Sequence, residues 1–318
     1  MVSPSSNTLK TPLTGKPLIV ILGPTAVGKT SLAVQMAQAL NGEIVSADSR
    51  QIYREMDIGT AKPTAEQRQQ AIHHLIDVVA PNEDLSLAKV QRLAYAAIDD
   101  LHMSHRLPLL VGGTGQYITA LLEGWSIPEV PPNPALRAEL ETQSVEALYT
   151  RLLQLDPEAQ NFVDPRNTRR IVRALEVCIE TGRPFSQQRG KTPTGFHVRT
   201  YGLTMERERL YQRADQRVEE MMAQGFLDEV RALLAKGYSR DLPSMSGLGY
   251  RELAAHLLNG IALAQAVEAT QLATHNFIRR QYTWFRGHDH QIMWHNVDEF
   301  SSDALIADAS NWLEAQRS

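Results

Sequence analysis

An α/β fold, a parallel sheet flanked by helices and carrying a small inserted all-helical domain, is predicted by three observations. The apolar run Pro17-Leu18-Ile19-Val20-Ile21-Leu22 meets a glycine-bearing loop and then the apolar-periodic segment Ser31 to Leu40, a strand–loop–helix pattern. Short apolar runs then alternate with helical patterns on both sides of the chain's middle, as crossover-linked strands require. Between them, Ser126-Ile127-Pro128-Glu129-Val130-Pro131-Pro132-Asn133-Pro134 holds four prolines, which neither a helix nor a central strand can absorb.

The first loop, Gly23-Pro24-Thr25-Ala26-Val27-Gly28-Lys29-Thr30, has the spacing GxxxxGK(S/T). This makes the predicted body P-loop NTPase-like. Successive backbone N–H groups and the following helix N-terminus face one polyphosphate, Lys29 reaches a phosphate oxygen, and the Thr30 hydroxyl helps hold Mg²⁺. Whose phosphates these are, the loop does not say.

At 318 residues the chain has length for about two domains. Hydrophobic residues make up 43% and charged residues 21%, an ordinary globular composition without an apolar run of bilayer length, so no membrane partner is expected. The single cysteine, Cys178, excludes an internal disulfide framework or a Cys-rich zinc site and fits a reducing cytosol. It falls in the pattern Ile171, Leu175, Cys178, Ile179 and reads as a core thiol. A net charge of −4 argues against a protein that coats nucleic acid, yet from Asp164 to Arg217 twelve Arg/Lys face six Asp/Glu. That span is a basic footprint in an acidic chain.

In chain order, residues 1–16 read as a flexible Ser/Thr/Pro-rich tail. Gly42 to Ser46 is a second strand, and Asp48 follows its carboxyl end, where open α/β sheets gather ligands. Asp48 fits a site residue or a helix N-cap equally well. Met56 to Pro63 is a loop. His73 to Val79 reads as a short strand, in which adjacent His73 and His74 point to opposite faces and make a poor metal pair. Asp77 offers a Walker-B-like carboxylate or a structural one. Leu85 to His105 is a helix, and Leu107 to Val111 a strand running into Gly112-Gly113-Thr114-Gly115 and a helix from Ile118 to Leu122. Thr114 there is placed to hydrogen-bond at the same rim. Beyond the prolines, Ala135 to Leu155 and Thr168 to Thr181 are amphipathic helices, and Arg183 to Gly195 is the return linker. The domains expected are thus the tail, a catalytic body of residues 17–125 and 196–318, and a helical insertion of residues 126–195. The body resumes with a strand from Phe196 to Leu203 and one long helix from Glu206 to Lys236, on which Arg209, Arg213 and Arg217 recur every four residues, three guanidinium groups along one stripe or solvated ion pairs with Glu206, Glu208 and Glu220. Ser244 to Arg251 links to two further helices; the second ends in Arg279 to Arg286, where arginines alternate with aromatics. A strand from His290 to His295 and a helix from Asp303 to Ala315 close the chain.

Assembled, the chain resembles the bacterial-type tRNA dimethylallyltransferases, the tRNA isopentenyltransferase family. The resemblance rests on Gly23 to Thr30, Asp48-Ser49-Arg50-Gln51-Ile52-Tyr53, Asp57 to Pro63, Val111 to Gly115, Arg173 to Val177, Gly249-Tyr250-Arg251 and Arg279 to Arg286, in family order across nearly the whole chain. It implies transfer of a dimethylallyl group from dimethylallyl diphosphate to N6 of the adenosine immediately 3′ of the anticodon, with release of diphosphate. It also implies that Gly23, Pro24, Thr25, Ala26, Val27, Gly28, Lys29 and Thr30 hold the diphosphate, with Mg²⁺ on Thr30 as the cofactor. Asp48 would be the general base, Thr114 a hydrogen-bonding group and Arg217 the cation that neutralises the departing diphosphate. The tRNA anticodon stem-loop, gripped by the insertion, would touch Asp48, Ser49, Arg50, Gln51, Tyr53, Thr114, Arg137, Arg169, Arg170, Ile171, Val172, Arg173, Ser246, Gly247, Leu248, Gly249, Tyr250, Arg251, Arg279, Arg280, Trp284 and Arg286. Eukaryotic relatives add a zinc finger; with only Cys178, this chain is expected among bacterial or organellar members, as a cytoplasmic monomer with no DNA partner. The rival readings are a P-loop small-molecule or nucleoside kinase, in which Asp48 deprotonates a hydroxyl, and an RNA-binding ATPase, for which Asp77 is a poor Walker-B carboxylate.

Overall fold

A computed structural model describes residues 15–287 and 291–316. In chain order it holds β1 (Lys16–Leu22), α1 (Lys29–Ala39), β2 (Gly42–Ser46), α2 (Ala65–Gln70), β3 (His73–His74), α3 (Leu87–Met103), β4 (Leu107–Gly112), α4 (Gly115–Leu122) and β5 (Trp125–Ser126). Then come α5 (Pro134–Glu141), α6 (Val145–Leu155), α7 (Thr168–Thr181), β6 (Gly190–Lys191), β7 (Phe196–Thr204), α8 (Arg207–Ala223), α9 (Phe226–Ala235), α10 (Tyr250–Asn259), α11 (Leu263–Gly287), β8 (Ile292–Asn296) and α12 (Ser302–Ala315).

Six strands form one all-parallel sheet in the order β3-β2-β4-β1-β7-β8. The continuous apolar runs of β1 and β4 are explained by their central places: residues 18–22 and 107–112 are buried throughout, with helices on the faces. The chain leaves β1 for β2 past the place of β4, so the loops after β1, β2 and β4 open together at the carboxyl edge, where such sheets bind ligands.

The chain forms two compact units. One comprises the chain through Leu85, Val90–Thr119 and Gly195 onward; the other comprises Ser86–Lys89 and Ala120–Thr194, beginning earlier than the composition break at 126. The second unit packs α5, α6 and α7 around Leu140, Leu148, Leu152, Ile171 and Leu175. It is not wholly helical, because β5 and β6 pair as a short antiparallel ribbon, Trp125 opposite Lys191.

Several expected elements differ. Lys16 belongs to β1 rather than to the tail, whose residues 1–14 lie outside those described, as does His290 of the expected last strand. The strand foreseen from His73 to Val79 stops at His74, because Leu75 and Asp77 take φ of 62° and 59° and turn the chain. The helix foreseen from Ala135 to Leu155 is two, each with its own N-cap: Asn133 accepts from the Leu136 N–H and Ser144 from the Ala147 N–H. The long helix from Glu206 to Lys236 is also two, broken at Gly225, whose φ of 97° no helix accommodates. That break lets Phe226 turn into a core with Tyr250, Ile52 and Met56. The helix after β4 starts at Gly115, not Ile118, leaving only Gly113 and Thr114 between strand and helix.

Candidate active site

The phosphate loop leaves β1 through three left-handed residues, Gly23 (φ 147°), Ala26 (64°) and Gly28 (105°), and enters α1 at Lys29. No side chain caps α1 at Gly28, so its first amides are left to an anion. The Lys29 ammonium donates to the Pro24 carbonyl at 2.7 Å. Desolvation pulls its pKa down to about 8, opposed by Asp48, which raises it, and reinforced by Arg217, which lowers it. These three groups therefore stand within electrostatic reach of one another.

They share a cavity of about 560 Å³ whose lining includes Thr25, Gly28, Lys29, Thr30, Asp48, Arg213 and Arg217. Ala33, Ile44, Val111 and Met221 add apolar wall. The arginine stripe of α8 is split: Arg209 pairs with Asp298 at 2.6 Å, while Arg213 and Arg217 line the cavity. Burial lowers the pKa of the Arg217 guanidinium, with Asp48 and Glu220 acting to raise it.

Asp48 is not a helix cap, since no helix follows it. Its Oδ1 accepts from the Arg50 N–H at 2.8 Å and the Gln51 N–H at 3.4 Å, which fixes a tight turn and holds the carboxylate at the cavity wall. The Thr114 hydroxyl accepts from the Ser49 N–H at 3.2 Å and so joins the loop after β4 to this turn. Gln51 takes the Ser46 hydroxyl on its Oε1 and donates from Nε2 to the Thr60 and Ala61 carbonyls, pinning the 57–63 loop over the cavity.

Sequence reasoning missed three residues. Lys62 lines the cavity, but its ammonium donates to the Tyr53 carbonyl, Asp57 and Asp77 at 2.5–2.6 Å with a side chain only 2% exposed. The Tyr53 carbonyl is buried, and stranding such an acceptor costs about 1–3 kcal/mol, while the more exposed Asp57 and Asp77 neutralise the buried ammonium, so Lys62 holds the loop and is not a spare phosphate ligand. Asp77 is correspondingly no Walker-B carboxylate. Burial acts to raise its pKa, but hydrogen bonds from Lys62 and Arg68 outweigh it and lower it. Glu229 accepts from the N–H groups of Asp57, Ile58 and Gly59 and from the Tyr250 hydroxyl. Gln281 joins the phosphate loop to the loop after β4. Glu229 and Gln281 find these loop partners only through contacts between distant parts of the chain, whereas the partners of Lys62 lie 5, 9 and 15 residues away and are joined by the turns of the loop. The paired histidines diverge as expected: His73 faces the Ala71 carbonyl and the cavity, His74 faces Glu43.

The candidate RNA contacts divide by burial. Tyr250 is 1% exposed, packs edge-on against Phe226 and donates to Glu229, and Tyr53 is 4% exposed, so both side chains are core rather than contact surface. Ile171 and Val172 are likewise buried in the second unit. There Arg137 and Arg173 both bind the fully buried Glu176 carboxylate, which also accepts from the Asn133 N–H. Arg50 is spent on the Pro243 and Ser244 carbonyls and the Ser246 hydroxyl. Trp284 donates to Thr119. Arg169 and Arg170 on α7, Arg251 on α10 and Arg279, Arg280 and Arg286 on α11 are exposed, as is Ser246, whereas Gly247 and Gly249 are buried and Leu248 is half-buried. Among the described residues no helix is long and apolar enough to cross a membrane.

Comparison with known proteins bears on this arrangement. A family model described as IPP transferase matches residues 51–288, and one described as isopentenyl transferase matches residues 16–77. The chain is 55% identical over 274 residues to a tRNA dimethylallyltransferase of Roseiflexus sp. (strain RS-1), covering 85% of this chain and 90% of that one. It is 45% identical over 301 residues to a tRNA dimethylallyltransferase of Dehalococcoides mccartyi, covering 93% of each. Among solved structures it is similar to the full-length tRNA isopentenylpyrophosphate transferase of Bacillus halodurans, with TM-score 0.70, 38% identity and coverage of 95% and 97%. A eukaryotic dimethylallyltransferase acting on tRNA superposes with TM-score 0.81 at 26% identity, covering 94% of this chain and 80% of that one.

Proposed function

The chain belongs to the IPP transferase family, and from that premise we propose that it transfers a dimethylallyl group from dimethylallyl diphosphate to N6 of the adenosine immediately 3′ of the anticodon in tRNA, releasing diphosphate. The observation that carries the reading is the single cavity in which a phosphate loop, a carboxylate and two arginines converge. An aromatic amine is a weak nucleophile, so the leaving group must be strongly stabilised and the amine closely held. Lys29, the amides at the start of α1, Arg213 and Arg217 supply positive potential for the diphosphate. Asp48, fixed by its turn, takes the N6 proton as the amine attacks the allylic carbon and the C–O bond to diphosphate breaks. Thr114 holds the Asp48 turn in place.

Mg²⁺ fits the donor set: the cavity wall offers a phosphate-loop hydroxyl beside Lys29, and such a hydroxyl is the one protein oxygen that joins a Mg²⁺ shell made mostly of phosphate and water oxygens. Thr30 would be that oxygen. When bound, the ion neutralises diphosphate charge.

An adenine inside the anticodon-loop stack must be flipped out to reach Asp48, and the unstacking energy comes from RNA contacts elsewhere. We assign these to the exposed arginines of α7 in the insertion and, separately, of α11 in the body. Arg169→Ala and Arg279→Ala are each expected to weaken tRNA binding and to lower the slope of log K against log salt by about one phosphate contact, roughly 0.7–0.9. A filter-binding titration at several salt concentrations reads this; an unchanged slope makes the arginine an ordinary solvated residue. A cytoplasmic monomer without DNA partners is part of the same reading.

Lys29 provides a pH test. Its ammonium is essentially intact well below pH 8, half lost at about pH 8 and progressively lost above it, so the Lys29 contribution to inorganic diphosphate binding falls as pH rises through that value. Diphosphate itself gains negative charge as pH rises and would bind more tightly. A loss of affinity therefore comes from the protein, and a Lys29→Met variant with the same pH dependence as the wild type would remove Lys29 from the binding set.

The relatives favour transfer to tRNA over the kinase alternative. Mass spectrometry of nucleosides from undermodified tRNA, incubated with dimethylallyl diphosphate and Mg²⁺, tests it directly. N6-prenylated adenosine is expected; no prenylation, with γ-phosphate transfer from ATP instead, would falsify the assignment.

A further inference from the structure

Among the described residues of the body, one buried side-chain amide is left without a role by the proposed chemistry. Gln281 sits on the inner face of α11 with Thr274, Ile278 and Phe285 and is 5% exposed. Its Oε1 accepts from the Thr25 N–H at 3.0 Å, and its Nε2 donates to the Gly113 carbonyl at 2.9 Å. Thr25 lies in the loop after β1 and Gly113 in the loop after β4. These strands are neighbours whose pairing ends with Leu22 opposite Gly112. Where the sheet stops, the Gln281 amide supplies the next rung, accepting and donating as a peptide group would. Room for it exists because residue 113 is glycine: a Cβ there would stand 2.3 Å from Gln281 Nε2. From Gly113 the connection continues through Thr114 to the Ser49 N–H, and Asp48 closes the adjoining turn.

We propose that Gln281 is a positioning residue that sets the separation between the phosphate loop and the Thr114–Asp48 end of the cavity, holding leaving group and amine in register. The inference rests on the prenyl-transfer reading above. Without the rung, the buried Gly113 carbonyl and the part-buried Thr25 N–H must find water or move. A misplacement of about 1 Å between reacting groups costs about 10²-fold in rate. Of the groups that face the diphosphate, Gln281 touches only the Thr25 N–H, which it already occupies; it makes no hydrogen bond to Lys29, the α1 amides or the arginines, on which binding chiefly draws. The signature is therefore a slower reaction with binding retained.

Gln281→Met keeps the volume and removes both hydrogen bonds; Gly113→Ala drives a methyl group into the same amide from the other side. Single-turnover prenyl transfer at saturating tRNA and dimethylallyl diphosphate is measured and normalised to the enzyme fraction that binds inorganic diphosphate by calorimetry. Each variant is expected to lose about ten- to hundredfold in normalised rate, with diphosphate and tRNA Kd values within about threefold of wild type. The double variant is expected to be no slower than the worse single, since both break one rung. A normalised rate unchanged from wild type, a loss confined to diphosphate Kd, or additive losses in the double variant would each overturn the proposal. Wild-type enzyme that binds diphosphate but transfers no prenyl group overturns the functional reading and this inference with it. Active wild type with unaffected variants overturns this inference alone.

Discussion

Asp48→Asn is expected to lose about 10²–10⁴-fold in prenyl transfer while folding and binding tRNA as the wild type does. The substitution separates the two jobs that the structure gives this residue. As a turn anchor, Asp48 needs only an acceptor oxygen facing the Arg50 and Gln51 N–H groups, and an asparagine Oδ1 supplies that. As a base it needs a carboxylate, which the amide cannot replace. Asp48→Ala removes both, and losing the acceptor of these turn hydrogen bonds costs about 0.5–1.5 kcal/mol per bond. Thermal unfolding should therefore rank wild type and Asp48→Asn together and Asp48→Ala lower, while nucleoside analysis groups both variants as inactive. If Asp48→Asn retains transfer within a fewfold of wild type, the carboxylate is a turn anchor and the base lies elsewhere.

The order of these elements was legible wherever the determinant is local. The phosphate loop, β1, β4 and α7 follow from spacing and apolar period within a dozen or so residues, and the structure places them there. Breaks between helices were not legible, because a glycine such as Gly225 is tolerated inside many helical patterns; only the burial of Phe226 against Tyr250 decides in favour of a turn. Asp77 was ambiguous for a related reason. A carboxylate near a strand end reads as a metal ligand until Lys62, fifteen residues away, is seen to neutralise it. Gln281 was hidden more deeply: its neighbours are arginines and aromatics that suggest an RNA face, while its own partners lie 256 and 168 residues away. Tyr250 errs in the same direction, since its motif position suggested contact with RNA and its ring is core. Motif membership marks which positions matter, but three-dimensional packing decides whether a side chain touches ligand or holds another that does.

Arg217→Ala is expected to lower transfer by about 10²–10³-fold, the usual cost of removing one donor from a developing oxyanion. Arg217→Lys should recover part of this, because charge returns without the planar fork that can meet two phosphate oxygens. A charge-neutralising role also predicts a displacement in pH. Desolvation, chiefly, holds the Lys29 pKa near 8, Asp48 acts to raise it, and Arg217 acts to lower it. Removing Arg217 relieves a like-charge repulsion, so Lys29 stays protonated to higher pH. Removing the Asp48 charge takes away an attraction, so Lys29 deprotonates at lower pH. The alkaline fall in diphosphate affinity should therefore move up in Arg217→Ala and down in Asp48→Asn. The ligand's own ionisation is common to all three proteins and cancels in the comparison. The measurement needs no turnover, so it remains available in variants that have lost catalysis. Shifts of one sign in both variants, or none in either, would mean that Lys29 does not sense the two groups across the cavity, and the leaving-group role of Arg217 would lose its electrostatic basis.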